Sequence, residues 1–147
     1  MIRPARGDEV AWVSGTIAAA FGVYIARIGR EPAPMTADHA ALIAAGEVQV
    51  LEEAGERLGL IVQRPYPDHL YVDIVAVLPA AQRRGIGRRL LGFAEAEAAR
   101  LGLPALRLFT HEKMTENRRF YPRLGYRQID ARREAGFDRV YFEKRLA

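Results

Sequence analysis

The residues with the most specific chemistry are Gln82-Arg83-Arg84-Gly85-Ile86-Gly87 and the Arg88 that follows. They come after an apolar strand end, Val75-Ala76-Val77-Leu78, closed by Pro79, and they lead into a helical pattern. The start of a helix exposes unpaired backbone N–H groups and about half a positive charge, which together suit a phosphate. Gly85 and Gly87 let an anion approach the backbone with no Cβ in the way. Arg83, Arg84 and Arg88 add charge at the same point. Two other phosphate loops are excluded by spacing: a dinucleotide turn needs a third glycine where Leu90 stands, and a mononucleotide loop needs Gly-Lys-Ser/Thr where Gly87 is followed by Arg88-Arg89. The plain alternative is a glycine-rich turn before a basic helix.

Titratable candidates lie on both sides of that segment. Asp73 is the only charge in the run Leu70–Leu78 (LYVDIVAVL). A carboxylate in such a strand either faces a wet cleft or has a partner, because burying it bare is costly. His111, in Thr110-His111-Glu112, ends the next strand, and an imidazole with an unperturbed pKa near 6.5 suits a base. The alternative for His111 is an ordinary surface or capping residue; Glu112 is a weaker candidate, and His39 and His69 have no companion residues. Tyr121, like Phe120, reads by itself as a packed aromatic.

The elements that must hold these residues read as follows. Val10, Val13, Ile17 and Phe21 recur at helical spacing over 8–22. Tyr24–Met35 is broken by Gly29, Pro32 and Pro34. Thr36 is placed to cap a second helix that runs to about Gly46, with Asp38 in its first turn. Val48–Glu53 and Arg57–Gln63 read as strands around Ala54-Gly55. Leu70–Leu78 reads as a strand buried on both faces. Ile86, Leu90, Leu91, Ala94, Ala98 and Leu101 share a helix face that Gly102 and Pro104 end. Leu106, Leu108 and Thr110 point one way from a strand, a short helix occupies 115–124, and Gln128–Arg133 and Arg139–Arg145 form a last pair. That order predicts one mixed α/β domain over 1–147: a central, mostly antiparallel sheet with helices on both faces.

Composition bounds the partners. Of the residues, 50% are hydrophobic and 27% charged, which is ordinary for a globular domain. With no cysteine, neither a disulfide, a thiolate zinc site nor a cysteine nucleophile is available. The expected location is the cytoplasm, the N-terminus lacks a signal-peptide pattern, and no apolar run is expected to approach the roughly 18 residues that span a membrane. The net charge of +4 is carried mainly by arginine, which serves an anionic cofactor, nucleic acid or solubility. No aromatic stacking platform accompanies the arginines, so nucleic acid is not an expected partner.

Gln82-Arg83-Arg84-Gly85-Ile86-Gly87 after the strand end resembles the acetyl-CoA signature of the GNAT superfamily of N-acetyltransferases, which reads Gln/Arg-x-x-Gly-x-Gly/Ala. Asn117-Arg118-Arg119-Phe120-Tyr121-Pro122-Arg123-Leu124-Gly125-Tyr126 resembles that family's later motif, and Val140–Leu146 its usual last strand. The resemblance covers about 57–146. It implies an acyl-CoA fold with the sheet splayed at the cofactor strand. Val75, Ala76 and Val77 would pair their backbone with the pantetheine arm, and the Val77 N–H would polarise the thioester carbonyl. Gln82, Arg83, Arg84, Gly85, Ile86, Gly87 and Arg88 would hold the pyrophosphate. Tyr121 would face the cofactor sulfur. Asp73 or His111 would take the proton of the amine, since an ammonium of pKa about 10.4 is almost wholly charged at pH 7.

Two departures stand out. The family's usual asparagine falls at Met114, with Asn117 only four residues before Tyr121; Asn117 is therefore a candidate cofactor contact, a cap, or neither. Pro122 directly after Tyr121 biases it away from helical geometry. The acceptor site implied by the resemblance lies in Tyr24–Thr36, with Tyr24, Arg27, Arg30 and Glu31 as candidates, and in Tyr126–Gly136. Arginines there favour an amine that also carries a carboxylate or phosphate. The expected partners are acetyl-CoA and a small amine, with no metal, by direct transfer in a ternary complex; a last strand at a sheet edge also permits a homodimer. A protein that binds acyl-CoA without turnover and regulates a partner is the alternative from another class.

Overall fold

The computed structural model describes residues 1–146. The chain runs β1 (Ile2–Pro4), α1 (Val10–Phe21), α2 (Ile25–Ile28), α3 (Ala33–Thr36), α4 (His39–Ala44), β2 (Val48–Glu53), β3 (Glu56–Tyr66), β4 (His69–Val77), α5 (Ile86–Arg100), β5 (Ala105–His111), α6 (Thr115–Arg123), β6 (Arg127–Glu134) and β7 (Phe137–Arg145). Single 3₁₀ turns stand at Gly7–Glu9, Gly22–Tyr24 and Pro79–Ala81. The strands form a mixed, mostly antiparallel sheet in the order β1-β2-β3-β4-β5-β7-β6. Two compact units are described in turn: Met1–Gln63 with Ile74–Phe93, and Arg64–Asp73 with Ala94 onward.

In the first unit, Val13, Ile17, Val50, Leu51, Leu60, Ile61, Ile86 and Leu90 are buried. The β2–β3 hairpin turns at Ala54 (φ 50°) and Gly55 (φ 79°), the two left-handed residues that a tight hairpin turn requires. The register pins Val48 to Val62 and Leu51 to Gly59. Strand β1 was not expected, because three residues are too few to show an alternation; it pairs Ile2 with Leu51. Helix α4 is capped by Asp38, whose Oδ1 accepts the Ala41 N–H at 3.0 Å, and not by Thr36, which ends α3. The segment expected to be irregular is mostly short helical turns, with Gly29 (φ 89°) ending α2.

The helical run Gly7–Ile28, 22 residues with an 18-residue window of mean hydropathy 1.4, is long and apolar enough by length and composition to cross a membrane. This corrects the expectation that no apolar run approaches that length. Its Val13, Ile17 and Phe21 face is buried within the unit.

Gly59 sets a close approach. A Cβ built there lies 2.8 Å from the Ala76 carbonyl oxygen and 3.2 Å from Ile86. Gly59→Ala therefore pushes the end of β4 and the first turn of α5 outward, and it lowers stability by about 1–3 kcal/mol. Urea denaturation checks this, and an unchanged midpoint refutes it.

In the second unit, β5 pairs with β4 in parallel and with β7 antiparallel. Leu106, Leu108, Thr110 and Phe142 are buried and share one face; Arg107, Phe109, His111, Arg139 and Tyr141 share the other. The β4–β5 ladder joins Leu70–Val72 to Leu106–Leu108, while β5 stays paired with β7 as far as His111–Arg139. Strand β4 is not buried on both faces as expected: Leu70, Val72, Ile74 and Ala76 are buried, and Tyr71, Asp73, Val75 and Val77 are half-buried between them. Leu101, expected on the core face of α5, is 43% exposed, since the helix ends at Arg100. Pro122 does not end α6 early. It sits in the last turn, where few backbone bonds remain to lose, and the chain turns back through Tyr126 N–H to Tyr121 carbonyl at 3.1 Å.

Candidate active site

The candidate anion cradle belongs to the first unit. After the turn Pro79–Ala81, Gln82 is extended, Arg83 is left-handed (φ 66°) and Gly85 is left-handed (φ 75°). Two left-handed residues two apart curl the chain so that successive N–H groups turn toward one side. A left-handed arginine costs roughly 1–2 kcal/mol, and such strain is characteristic of sites that bind. The Arg89 N–H donates to the Gly85 carbonyl at 3.0 Å, so α5 begins there. The amides of Ile86, Gly87 and Arg88 then lie in its first turn, ahead of the intrahelical ladder. Ile86 is buried and anchors the turn, while Gln82, Arg83, Arg84, Gly85 and Arg88 are exposed. Arg89 is committed elsewhere, in an ion pair with Glu53, whose carboxyl that guanidinium holds below its ordinary range. Of the strand residues before the turn, Ala76 is buried and Val75 and Val77 are half-buried. The backbone and charge here fit a diphosphate.

The titratable candidates belong to the second unit. Asp73 accepts a hydrogen bond from Arg64 Nη2 at 2.8 Å, with both side chains about a quarter exposed (26% and 25%). Arg64 had no signal in the sequence; it meets Asp73 because β3 and β4 are neighbours. His111 is 9% exposed, and its Nδ1 accepts the Lys113 N–H at 3.0 Å. That bond places the ring proton on Nε2. Burial lowers the His111 pKa from 6.5, so the ring is neutral at pH 7. Asp73 and His111 lie on the same sheet face, whereas Tyr121 packs against Phe142 (5.9 Å) on the opposite face. Tyr121 is 8% exposed and meets Tyr126 edge-on at 5.6 Å. Asn117 does not cap α6. It lies inside the helix with Nδ2 3.3 Å from Thr110 Oγ1, while Met114, at the cap position, takes the Thr110 hydroxyl on its sulfur at 3.3 Å.

In the first unit, Tyr24 is buried against Phe21 at 6.3 Å, with the Arg27 guanidinium 5.1 Å from its ring. Arg27, Arg30 and Glu31 are exposed. His39, which had no role in the sequence, is buried, with its Nδ1 2.7 Å from Ser14 Oγ and its Nε2 2.8 Å from the Pro34 carbonyl. The carbonyl can only accept, so Nε2 donates and Nδ1 accepts the hydroxyl. This pins the proline-containing turn to α1.

A mixed sheet with a strained loop feeding a helix start is an arrangement whose backbone and charge fit an anionic carrier. The family model for the acetyltransferase (GNAT) family matches residues 17–126, well over half of the chain, and the chain belongs to that family. Acetyl transfer is the activity that membership carries. Solved structures agree on the fold. PaiA N-acetyltransferase from Thermoplasma acidophilum, in complex with coenzyme A, superposes with a TM-score of 0.82 at 16% identity over 99% of this chain and 98% of that one. The ribosomal-protein-S18-alanine N-acetyltransferase from Escherichia coli gives 0.77 at 18% identity over 100% and 94%. A GNAT family acetyltransferase from Elizabethkingia anophelis with acetyl-CoA bound gives 0.65 at 22% identity over 72% and 80%.

Proposed function

We propose that this protein transfers the acetyl group of acetyl-CoA to the primary amine of a small molecule, directly, in a ternary complex. The observation that carries the reading is the loop Gln82–Gly85, left-handed at Arg83 and Gly85, running into the first turn of α5. Its amides, with Arg83, Arg84 and Arg88, receive the diphosphate; Val75–Val77 offer backbone to the pantetheine arm, and the Val77 N–H is the donor for the thioester oxygen. Asp73 takes the proton from the ammonium, directly or through water. The freed amine attacks the carbonyl carbon, the C–N bond forms and the C–S bond breaks; Tyr121 donates to the departing thiolate and is reprotonated by the proton that the nitrogen releases. His111 is not assigned as the base, because its Nδ1 lone pair is occupied and its Nε2 carries the proton.

Isothermal titration calorimetry tests the foundation. Coenzyme A and acetyl-CoA are expected to bind with Kd in about the micromolar to sub-millimolar range; no heat with either, for a folded protein, overturns the reading. Release of free thiol in the presence of amines then tests transfer.

A further inference from the structure

One face of the second unit's sheet holds a row of rings that the reaction above does not use. Tyr71, Phe109 and Tyr141 neighbour one another across β4, β5 and β7, with centroids 6.2 and 5.4 Å apart. Each has a guanidinium over it: Arg64 at 5.7 Å from Tyr71, Arg139 at 4.3 Å from Phe109, and Arg132 at 4.1 Å from Tyr141. Arg64 and Arg132 are each held by a carboxylate at hydrogen-bond distance, Asp73 at 2.8 Å and Asp130 at 2.9 Å. Arg139 is held differently. Its ion pair with Glu134 is at 3.8 Å, beyond hydrogen-bond reach. It also faces the Tyr141 hydroxyl, yet its Nε is buried with no hydrogen-bond partner.

A guanidinium largely shielded from water, with its Nε–H lacking an acceptor, is a strong receptor for a carboxylate, whose two oxygens match its fork. His111 stands directly opposite Arg139 in the β5–β7 register. Its Nδ1 is taken by the Lys113 N–H, so its Nε2–H is a second donor, and the neutral ring adds no repulsion to a cation.

We propose that Arg139, aided by the Nε2–H of His111, receives a carboxylate carried by the amine acceptor, so that the substrates are amino-acid-like and not polyamines. The assignment rests on the acetyl-transfer reading above. One guanidinium with one neutral donor matches a single negative charge better than a phosphate dianion. A polyamine would bring a second ammonium, in place of an anion, toward the Arg139 guanidinium.

The side-chain Nε–H of Arg139 gives a readout independent of turnover. Its ¹⁵N-resolved NMR signal, assigned by its loss in Arg139→Lys, is followed while glycine, β-alanine and 4-aminobutanoate are added, each against its amide, with putrescine as a further arm and coenzyme A present. At least one carboxylate is expected to move that signal while its amide does not. The same carboxylate is expected to be acetylated about tenfold or more faster than its amide, and Arg139→Lys, which keeps charge and fold but loses the fork, erases the preference. An unmoved Nε–H with every carboxylate, or amide and putrescine serving equally well, overturns the proposal. Failure of the acetyl-transfer reading shows separately, as absent heat with coenzyme A in both proteins.

Discussion

Asp73→Asn is expected to lower kcat/KM for the amine by about 10²–10⁴, the usual contribution of a placed base, while leaving the coenzyme A affinity measured by calorimetry unchanged. The amide has the shape of the carboxylate and still offers an oxygen to Arg64, so packing is preserved. What is removed is the capacity to accept a proton. Because Asp73 and Arg64 are both about a quarter exposed, their pairing contributes no more than about 1 kcal/mol, and the variant folds. Arg64→Met is the companion variant. It disturbs the same ion pair but leaves the carboxylate in place, so its rate falls far less if Asp73 is the base. If Asp73→Asn keeps the rate within a factor of about three, the base lies elsewhere.

Glu9→Ala is expected to destabilise the protein by about 3–5 kcal/mol, the cost of breaking a buried ion pair from one side. Glu9 is 2% exposed, and its two oxygens accept from Arg3 Nη1 and Nη2 at 2.8 and 2.9 Å, from the Arg6 N–H at 2.8 Å, and from Arg57 Nη1 at 3.1 Å. Arg3 also reaches Glu52 at 2.9 Å, so the network ties β1, the start of α1, β2 and β3 together. The Arg3 hydrogen bonds are the main reason the Glu9 carboxyl lies well below the ordinary carboxylate range. Its folded pKa is depressed, so its stabilisation is fully present above the unfolded value of 4.5 and is lost as pH falls from there toward the folded value. Denaturant titrations at pH 7 and at pH 3 measure this: the wild type should lose stability between them, and Glu9→Ala should lack that part of the loss. Equal midpoints for the two proteins at pH 7 would refute the role.

Much of the fold was legible because local patterns are strong where one face is buried. The α1 stripe, the α5 stripe apart from Leu101, the Ala54-Gly55 turn and the alternation of Leu106, Leu108 and Thr110 all appear where spacing placed them. The loop at Gln82–Gly87 was legible too, because glycine and arginine at a helix start have few other uses together. Misreadings came where neighbours outvote local preference. Strand β1 exists only through its pairing with β2; Thr36 lost the cap to Asp38; and β4 reads as apolar throughout although alternate side chains are half-buried.

From sequence alone came the residue types at each position: a glycine-bearing, cation-rich turn before a helix, a lone carboxylate in an apolar strand, and an aromatic segment ending at Gly125. These depend on neighbours within a few positions, so spacing suffices to find them. Tertiary structure decided which distant side chains meet. Arg64 reaches Asp73 across adjacent strands, His39 ties Ser14 to Pro34, and Arg139 stands opposite His111 over Phe109 only because β5 and β7 pair in that register. A shift of one residue would send Arg139 to the other face, and no local pattern in the chain records that choice.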